Sequence, residues 1–378
     1  MLHWETFDQL IRDSLNKILG VSLNNSAWLQ AQLPITRGGL GMRSASNHAS
    51  VAFLASWTNS VPLILQMIPS LELSPLSTVG ALEHLSKVLE VEDAVSLESV
   101  DGISQKELSL RVDDKLYNEL IEAAETVRDK ARLASVELPH AGDWLYVVPS
   151  PALGLQLRPP EFRVSVLYRL GMPIFQAGGA CVACDRPSDV FGDHAVGCAS
   201  QGERIARHNH LRDALYHTAV SAHLAPIRED RALLPRIHNQ ARPADVMLPH
   251  YAGGLHLALD ISVVSSLQAQ LVDRAATEPG HALQHRFNEK WRKYGEACQT
   301  EGIVFQPMPV EVLGGLHEAS VSIVKRLGQS LARAGGQDDA EVVKHLFGRL
   351  SILLMKGNSQ LILSRCINPI DPHINGYL

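Results

Sequence analysis

No stretch of this sequence approaches the roughly 18 to 20 uncharged apolar residues that a helical membrane span requires. The start, Met1-Leu2-His3-Trp4-Glu5, lacks the basic residues and apolar run of a secretion signal. Neither a membrane nor an export route is expected. Cysteine is scarce, five in 378 residues, too few for a disulfide framework. Internal repeats and low-complexity tracts are missing. With 46% hydrophobic and 20% charged residues, the composition excludes a disordered tail, a collagen and a coiled-coil rod. What is left is a folded chain long enough for two or three domains.

An excess of positive charge is missing too, since the formal net charge is -6. The acidity is local, however: residues 61 to 140 carry fifteen acids against seven bases, and the rest of the chain is slightly basic. Global charge therefore excludes a uniformly basic nucleic-acid protein and says little else about partners.

Periodicity predicts helices through the first 70 residues, with Trp4, Phe7, Leu10, Ile11 and Leu15 as one apolar series and Phe53, Leu54 and Trp57 in another. Between them, Gly38-Gly39-Leu40-Gly41 runs into Met42-Arg43. A phosphate loop needs Gly-Lys-Ser/Thr there, so a turn is expected. Residues 70 to 104 read as an acidic helical linker, and Glu107 to Leu133 as one solvated helix. A connector follows, with a short helix over Phe162 to Leu170. After a helix from Gln201 to about Leu224 the period changes. Ala241 to Pro249, Gly254 to Ser265 and Ile303 to Leu313 are strand-like, with a charged helix over Leu283 to Cys298. Two more helices, split at Gly335-Gly336, occupy Leu316 to Leu363. The pattern as a whole predicts a mixed α/β (α+β) fold with a helical N-terminal region and C-terminal helices.

Three of the five cysteines crowd together. Cys181 and Cys184 form a CxxC pair, and His194 and Cys198 follow as His-x3-Cys. Two ligands from a tight turn and two from the first turn of a helix can close a tetrahedron around zinc, leaving no open position, so a structural ion is expected. The alternative is a set of buried free thiols.

A second constellation follows it. Asp245 and Asp260 lie in two strand-like segments separated by Gly253-Gly254. Paired as a hairpin, they bring two carboxylates together, suited to a magnesium or manganese ion and a scissile phosphate. Taken singly, each Asp also reads as an N-cap or turn residue. Glu229 can reach the same point. Arg207, His208 and Arg212 share a helix upstream, and Lys290, Lys293 and Tyr294 stand at i, i+3 and i+4 of the charged helix, where a lysine can orient water or offset phosphate charge.

This order of motifs resembles the carboxy-terminal portion of non-LTR retrotransposon proteins that carry a restriction-like endonuclease. The resemblance is carried by Cys-x2-Cys, His-x3-Cys, Arg207-His208-Asn209, Arg242-Pro243-x-Asp245, Asp260 and Lys290-x3-Tyr294. It implies a zinc knuckle of Cys181, Cys184, His194 and Cys198 beside a nuclease core of the PD-(D/E)XK superfamily. Asp245, Asp260, Lys290 and Glu229 are then catalytic. Arg207, His208, Arg212, Arg242, Lys293 and Tyr294 contact nucleic acid. Zinc is the structural cofactor and magnesium or manganese the catalytic one. The implied partners are target DNA, element RNA and a reverse transcriptase acting in trans, in an intracellular, nuclear setting.

The sequence departs from that pattern in two places. Ala244 is inserted before Asp245, and Ser262 stands where the wider superfamily has lysine, a role the retrotransposon branch moves onto the next helix. The polymerase signature Tyr/Phe-x-Asp-Asp is missing, since Asp113-Asp114 and Asp338-Asp339 stand in polar contexts. The resemblance is thus to a 5'-truncated element or a detached C-terminal piece. It divides the chain into a post-polymerase linker (1–140), a connector with the knuckle (141–200), the nuclease core (201–315) and C-terminal helices (316–378). A catalytically idle nucleic-acid-binding remnant is the competing expectation. A Ser-His-Asp hydrolase is disfavoured, because no Gly-x-Ser-x-Gly elbow is present.

Overall fold

Helical apolar spacing governs the first third of the chain, as its sequence suggests. The computed structural model describes residues 2–71, 76–90, 95–229 and 243–365. Two compact units divide it, residues 1–124 and 125–378. The first is all helix among the described residues: α1 (Leu2–Leu19), α2 (Asn25–Gln32), α3 (Ala45–Met67), α4 (Leu76–Leu89), α5 (Leu97–Val100) and α6 (Gln105–Glu122). Asp8 fastens α1 to the start of α3, its carboxylate accepting the N–H groups of Ala45 (2.7 Å) and Ser46 (3.1 Å). The glycine segment makes a turn: Gly38 and Gly41 have φ of 80° and 75°, a backbone that glycine adopts without a Cβ penalty.

The expected solvated helix over Glu107 to Leu133 is in fact two helices, in different units. Leu108, Val112, Leu116 and Leu120 recur every four residues along α6 and are buried, so one face of α6 belongs to the core of the first unit. The helix stops at Glu122. A new one, α7 (Val127–Val136), starts at Thr126, whose hydroxyl accepts the Asp129 N–H at 3.0 Å.

The second unit continues with α8 (Pro159–Leu170), the short hairpin β1 (Gly179–Ala180) and β2 (Pro187–Ser188), α9 (Asp193–Gly197) and α10 (Glu203–Ser221). Then come β3 (Ile227–Arg228), β4 (Val246–Ala252), β5 (Leu255–Val264), α11 (Val272–Ala275), α12 (His281–Thr300), β6 (Ile303–Glu311), α13 (Glu318–Gly335) and α14 (Asp339–Leu363). The larger sheet has the order β3-β4-β5-β6. Its first three strands run antiparallel, and β6 lies parallel to β5 after the α12 crossover. The β4–β5 hairpin turns on Gly253 and Gly254, both with positive φ (59° and 86°), as a two-residue turn matched to strand twist requires. The strand expected from Ala241 begins at Val246. Pro243, which has no N–H to give a ladder, precedes it, and residues 241 and 242 lie outside the described set.

Residues 257 to 262 of β5 are buried without a break, so both faces of the sheet are covered. Ala258 packs with Phe305 and Tyr294 under α12, while Ile261 shares an apolar lining with Leu211 and Leu215 of α10. Strand alternation therefore turns Asp260 and Ser262 toward α12.

Candidate metal centre and carboxylate site

Cys181, Cys184, His194 and Cys198 offer four ligand atoms that all lie within 4.8 Å of one another, and they can hold a metal ion such as zinc. They are the one such cluster among the described residues. Cys181 ends β1, and the chain turns back so that the N–H groups of Cys184 and Asp185 both point at the Cys181 carbonyl (3.3 and 2.8 Å). His194 lies in α9, and Cys198 immediately follows it. Asp189 fixes that turn: its carboxylate accepts the N–H groups of Phe191, Gly192, Asp193 and His194 at 2.7 to 3.0 Å.

The donor set suits zinc. Zinc–sulfur bonds of about 2.3 Å in a tetrahedron put sulfurs about 3.8 Å apart, and Cys181 and Cys198 Sγ are 4.0 Å apart. Cys184 Sγ and His194 Nε2 are 3.3 Å apart. Burial pushes the Cys181 thiol up. Burial also acts to raise Cys198, but a hydrogen bond from Arg365 and the Ser200 N–H overcome it and hold this thiol toward thiolate. Arg365 is itself tied down by the Ser200 carbonyl (2.7 Å) and Glu203 (3.2 Å). The other cysteine among the described residues, Cys298, is buried in the core with Ala258 and Phe305.

The carboxylate site lies on the sheet. Asp245 stands one residue before β4, its N–H donating to the Leu259 carbonyl at 2.8 Å, next to the Val246–Leu259 pair. Its Oδ2 accepts the Ile261 N–H (2.6 Å) and meets His208 Nε2 at 3.1 Å, so both contacts fall on one oxygen. Burial acts to lower the His208 pKa, but the hydrogen bond and charge of Asp245 dominate, and the net shift is upward. Asp260 is 5% exposed, and Lys290 Nζ lies 3.1 Å from its Oδ1 and 2.9 Å from Oδ2. Only the first contact has hydrogen-bond geometry, which leaves Oδ2 a buried acceptor without a hydrogen bond. Burial raises the Asp260 carboxyl to about 6; Lys290 opposes the rise and the negative charge of Asp245 adds to it.

The other sequence-derived candidates fall around this pair. Glu229 follows β3, its N–H donating to the Asp245 carbonyl (3.0 Å) while its carboxylate pairs with Arg212. Arg212 also binds Asp213 (2.9 Å) and feels the charge of Asp245, so it links Glu229 to the site. Lys293 lies over the Tyr294 ring at 4.8 Å, and that ring packs edge-on against Phe305. Ser262 Oγ, two residues beyond Asp260 on the same face, has no hydrogen-bond partner among the described residues. Arg207 points elsewhere: it is 3% exposed and donates to Asn358 Oδ1 at 2.6 Å. Arg242 lies outside the described residues.

Sequence reasoning passed over Arg286 and Asn358. Arg286 is four residues before Lys290, a spacing that places it on the same helix side. Asn358 is a buried amide of α14, and it also donates to the Val312 carbonyl at 2.6 Å. No protein-family model matches this chain, and no curated protein matches it.

Proposed function

We propose that this chain is a metal-dependent DNA endonuclease of the kind that nicks target DNA for non-LTR retrotransposons, built on a PD-(D/E)XK core and braced by a structural zinc knuckle. The observation that carries the reading is the pairing of Asp245 and Asp260 on neighbouring strand positions with Lys290 on Asp260. Asp245, whose contacts to His208 and the Ile261 N–H both fall on Oδ2, and Asp260, with its unbonded Oδ2, are suited to hold magnesium or manganese. A divalent ion in that position supplies Lewis acidity and a water of lowered pKa. His208 orients Asp245, and Lys290 brings the positive charge that phosphate-ester cleavage needs as negative charge builds. The order from α10 to β6, one helix, three strands, two helices and a strand, supports a nuclease core, because both carboxylates and the lysine then stand on or beside adjoining elements. Nicking in the nucleus, with element RNA and a separate reverse transcriptase as partners, follows from the same reading.

A second reading, a catalytically idle nucleic-acid-binding remnant, is favoured by one feature: each carboxylate already has a cationic partner, His208 on Asp245, Lys290 on Asp260 and Arg212 on Glu229. Plasmid relaxation decides between them. Supercoiled DNA incubated with protein and magnesium or manganese should become open circles, and EDTA should stop it. Retained DNA binding with no nicking under either metal overturns the endonuclease reading in favour of the second.

A further inference from the structure

A cleft of about 640 Å³ opens between the cysteine cluster and the end of β5. Arg186, Arg204, Arg207 and Arg286 line it, with Asp189 and Asp193 as its acids. Both acids are already satisfied. Asp189 accepts four backbone N–H groups, and Asp193 is gripped bidentately by Arg128 at 2.5 and 3.0 Å. Arg186 bonds Cys184 and Arg204 the Gly197 carbonyl (3.1 Å), but Arg207 has no counter-charge among the described residues. Arg207 is almost wholly buried, yet no carboxylate among the described residues lies within ion-pair distance, its one hydrogen bond goes to a neutral amide, and its Nε has no partner. Its pKa falls to about 10, first through burial and then through the charge of Arg204. Arg286 likewise leaves Nε unpartnered, with Nη1 on Glu289 at 2.9 Å. A buried guanidinium without a counter-charge is unfavourable, and an anion in the cleft relieves it, a phosphate best of all because its oxygens match the guanidinium fork.

The cleft adjoins the carboxylate site. Arg286 is one helical turn from Lys290, about 6 Å. Ser265, another lining residue, is five strand residues past Asp260, about 17 Å. A nucleic-acid strand places a phosphate about every 3.4 Å along its axis, so those distances span roughly two to five phosphates. Taking the nuclease reading as its premise, we propose that this cleft seats the backbone phosphates of the nucleic-acid strand flanking the scission point, with Arg207 at its floor and Arg204 and Arg286 at its walls.

The test measures binding, which needs no cleavage. A fluorescein-labelled 20-nucleotide single strand and its duplex are titrated by anisotropy over a salt series, with calcium in place of magnesium. The Arg204→Gln/Arg286→Gln double variant should bind at least tenfold more weakly, and the slope of log K against log salt should flatten by about 1.4 to 1.8, two phosphate contacts' worth. Arg207→Lys should weaken binding at least threefold at unchanged slope, since charge remains and the fork is lost. If that buried variant does not fold, the double variant carries the test. Affinity within twofold of wild type, or an unchanged slope in the double variant, overturns the proposal. So does thermal stabilisation by inorganic pyrophosphate that the double variant abolishes while oligonucleotide affinity stays the same, because the site then takes a free anion. Asp260→Asn separates this from the nuclease reading. Loss of affinity in the double variant but not in Asp260→Asn, with no nicking by wild type, keeps the cleft and removes the nuclease. Nicking by wild type with full affinity in the double variant does the reverse.

Discussion

Lys290 reaches both oxygens of Asp260, at 3.1 and 2.9 Å, from a helix thirty residues further along the chain. Despite that cation the Asp260 carboxyl stays raised to about 6, because burial outweighs the ion pair and Asp245 adds its own charge. In the proposed nuclease Asp260 must be ionised to hold the metal. Nicking should therefore fall about tenfold for each pH unit below 6, and Lys290→Met should move that limb to higher pH by removing the one strong influence that lowers it. A pH–rate profile of both proteins checks this, and coincident limbs would remove Lys290 from the account.

Loss of either carboxylate should abolish turnover and spare DNA affinity. Asp245→Ala and Asp260→Ala should each lower nicking at least about a hundredfold, with DNA binding within a few fold of wild type. Equal nicking by wild type and both variants would place the chemistry elsewhere in the protein.

The cysteine cluster should carry about one zinc per chain when purified without added metal, read by elemental analysis. Cys181→Ser should lose it. Arg365, which hydrogen-bonds the Cys198 sulfur, acts from outside the ligand set, and Arg365→Ala should weaken zinc retention about 10- to 100-fold in competition with a chelator.

Glu311 is fully buried at the end of β6, accepting the N–H groups of Ser266 (3.0 Å) and Leu313 (2.5 Å). Burial nonetheless raises its carboxyl from 4.5 to about 7. The folded state thus holds a proton that the unfolded chain has released between those two pH values. Its contribution is fully present below pH 4.5 and is lost as pH rises through about 7, on the order of 3 kcal/mol in all. Glu311→Gln should flatten that decline in urea unfolding measured at pH 5, 6 and 7.5. Parallel curves for the two proteins would contradict it.

Gly171 caps α8 with φ of 69°, and a Cβ there would sit 2.4 Å from Arg132 Nε. Arg132 is buried and donates to the Arg169 carbonyl at 2.6 Å, so it has little room to yield. Gly171→Ala should lower stability by about 2 to 4 kcal/mol, read from the urea midpoint, combining left-handed backbone strain with the displaced guanidinium.

Local features were legible in the sequence because they depend on neighbours along the chain. The Cys181-x2-Cys184 and His194-x3-Cys198 spacings, the change of period near residue 241, the glycine turn between β4 and β5, and the isolated Asp in an apolar β5 are all short-range signals. Tertiary structure decided the rest. Leu108, Val112, Leu116 and Leu120 look like one side of a solvated helix until a core meets them, and the solvent side of α6 dominates its composition. Arg207 and His208 are consecutive, yet helical geometry turns one toward Asn358 and the other toward Asp245. The raised pKa of Asp260 and Glu311 and the unpaired charge of Arg207 come from burial, which no single sequence position carries, because the groups that exclude water arrive from α12, α14 and β6. Residue type and spacing set which chemistry this protein has at hand; packing set which of those groups are charged, paired or left without a counter-charge.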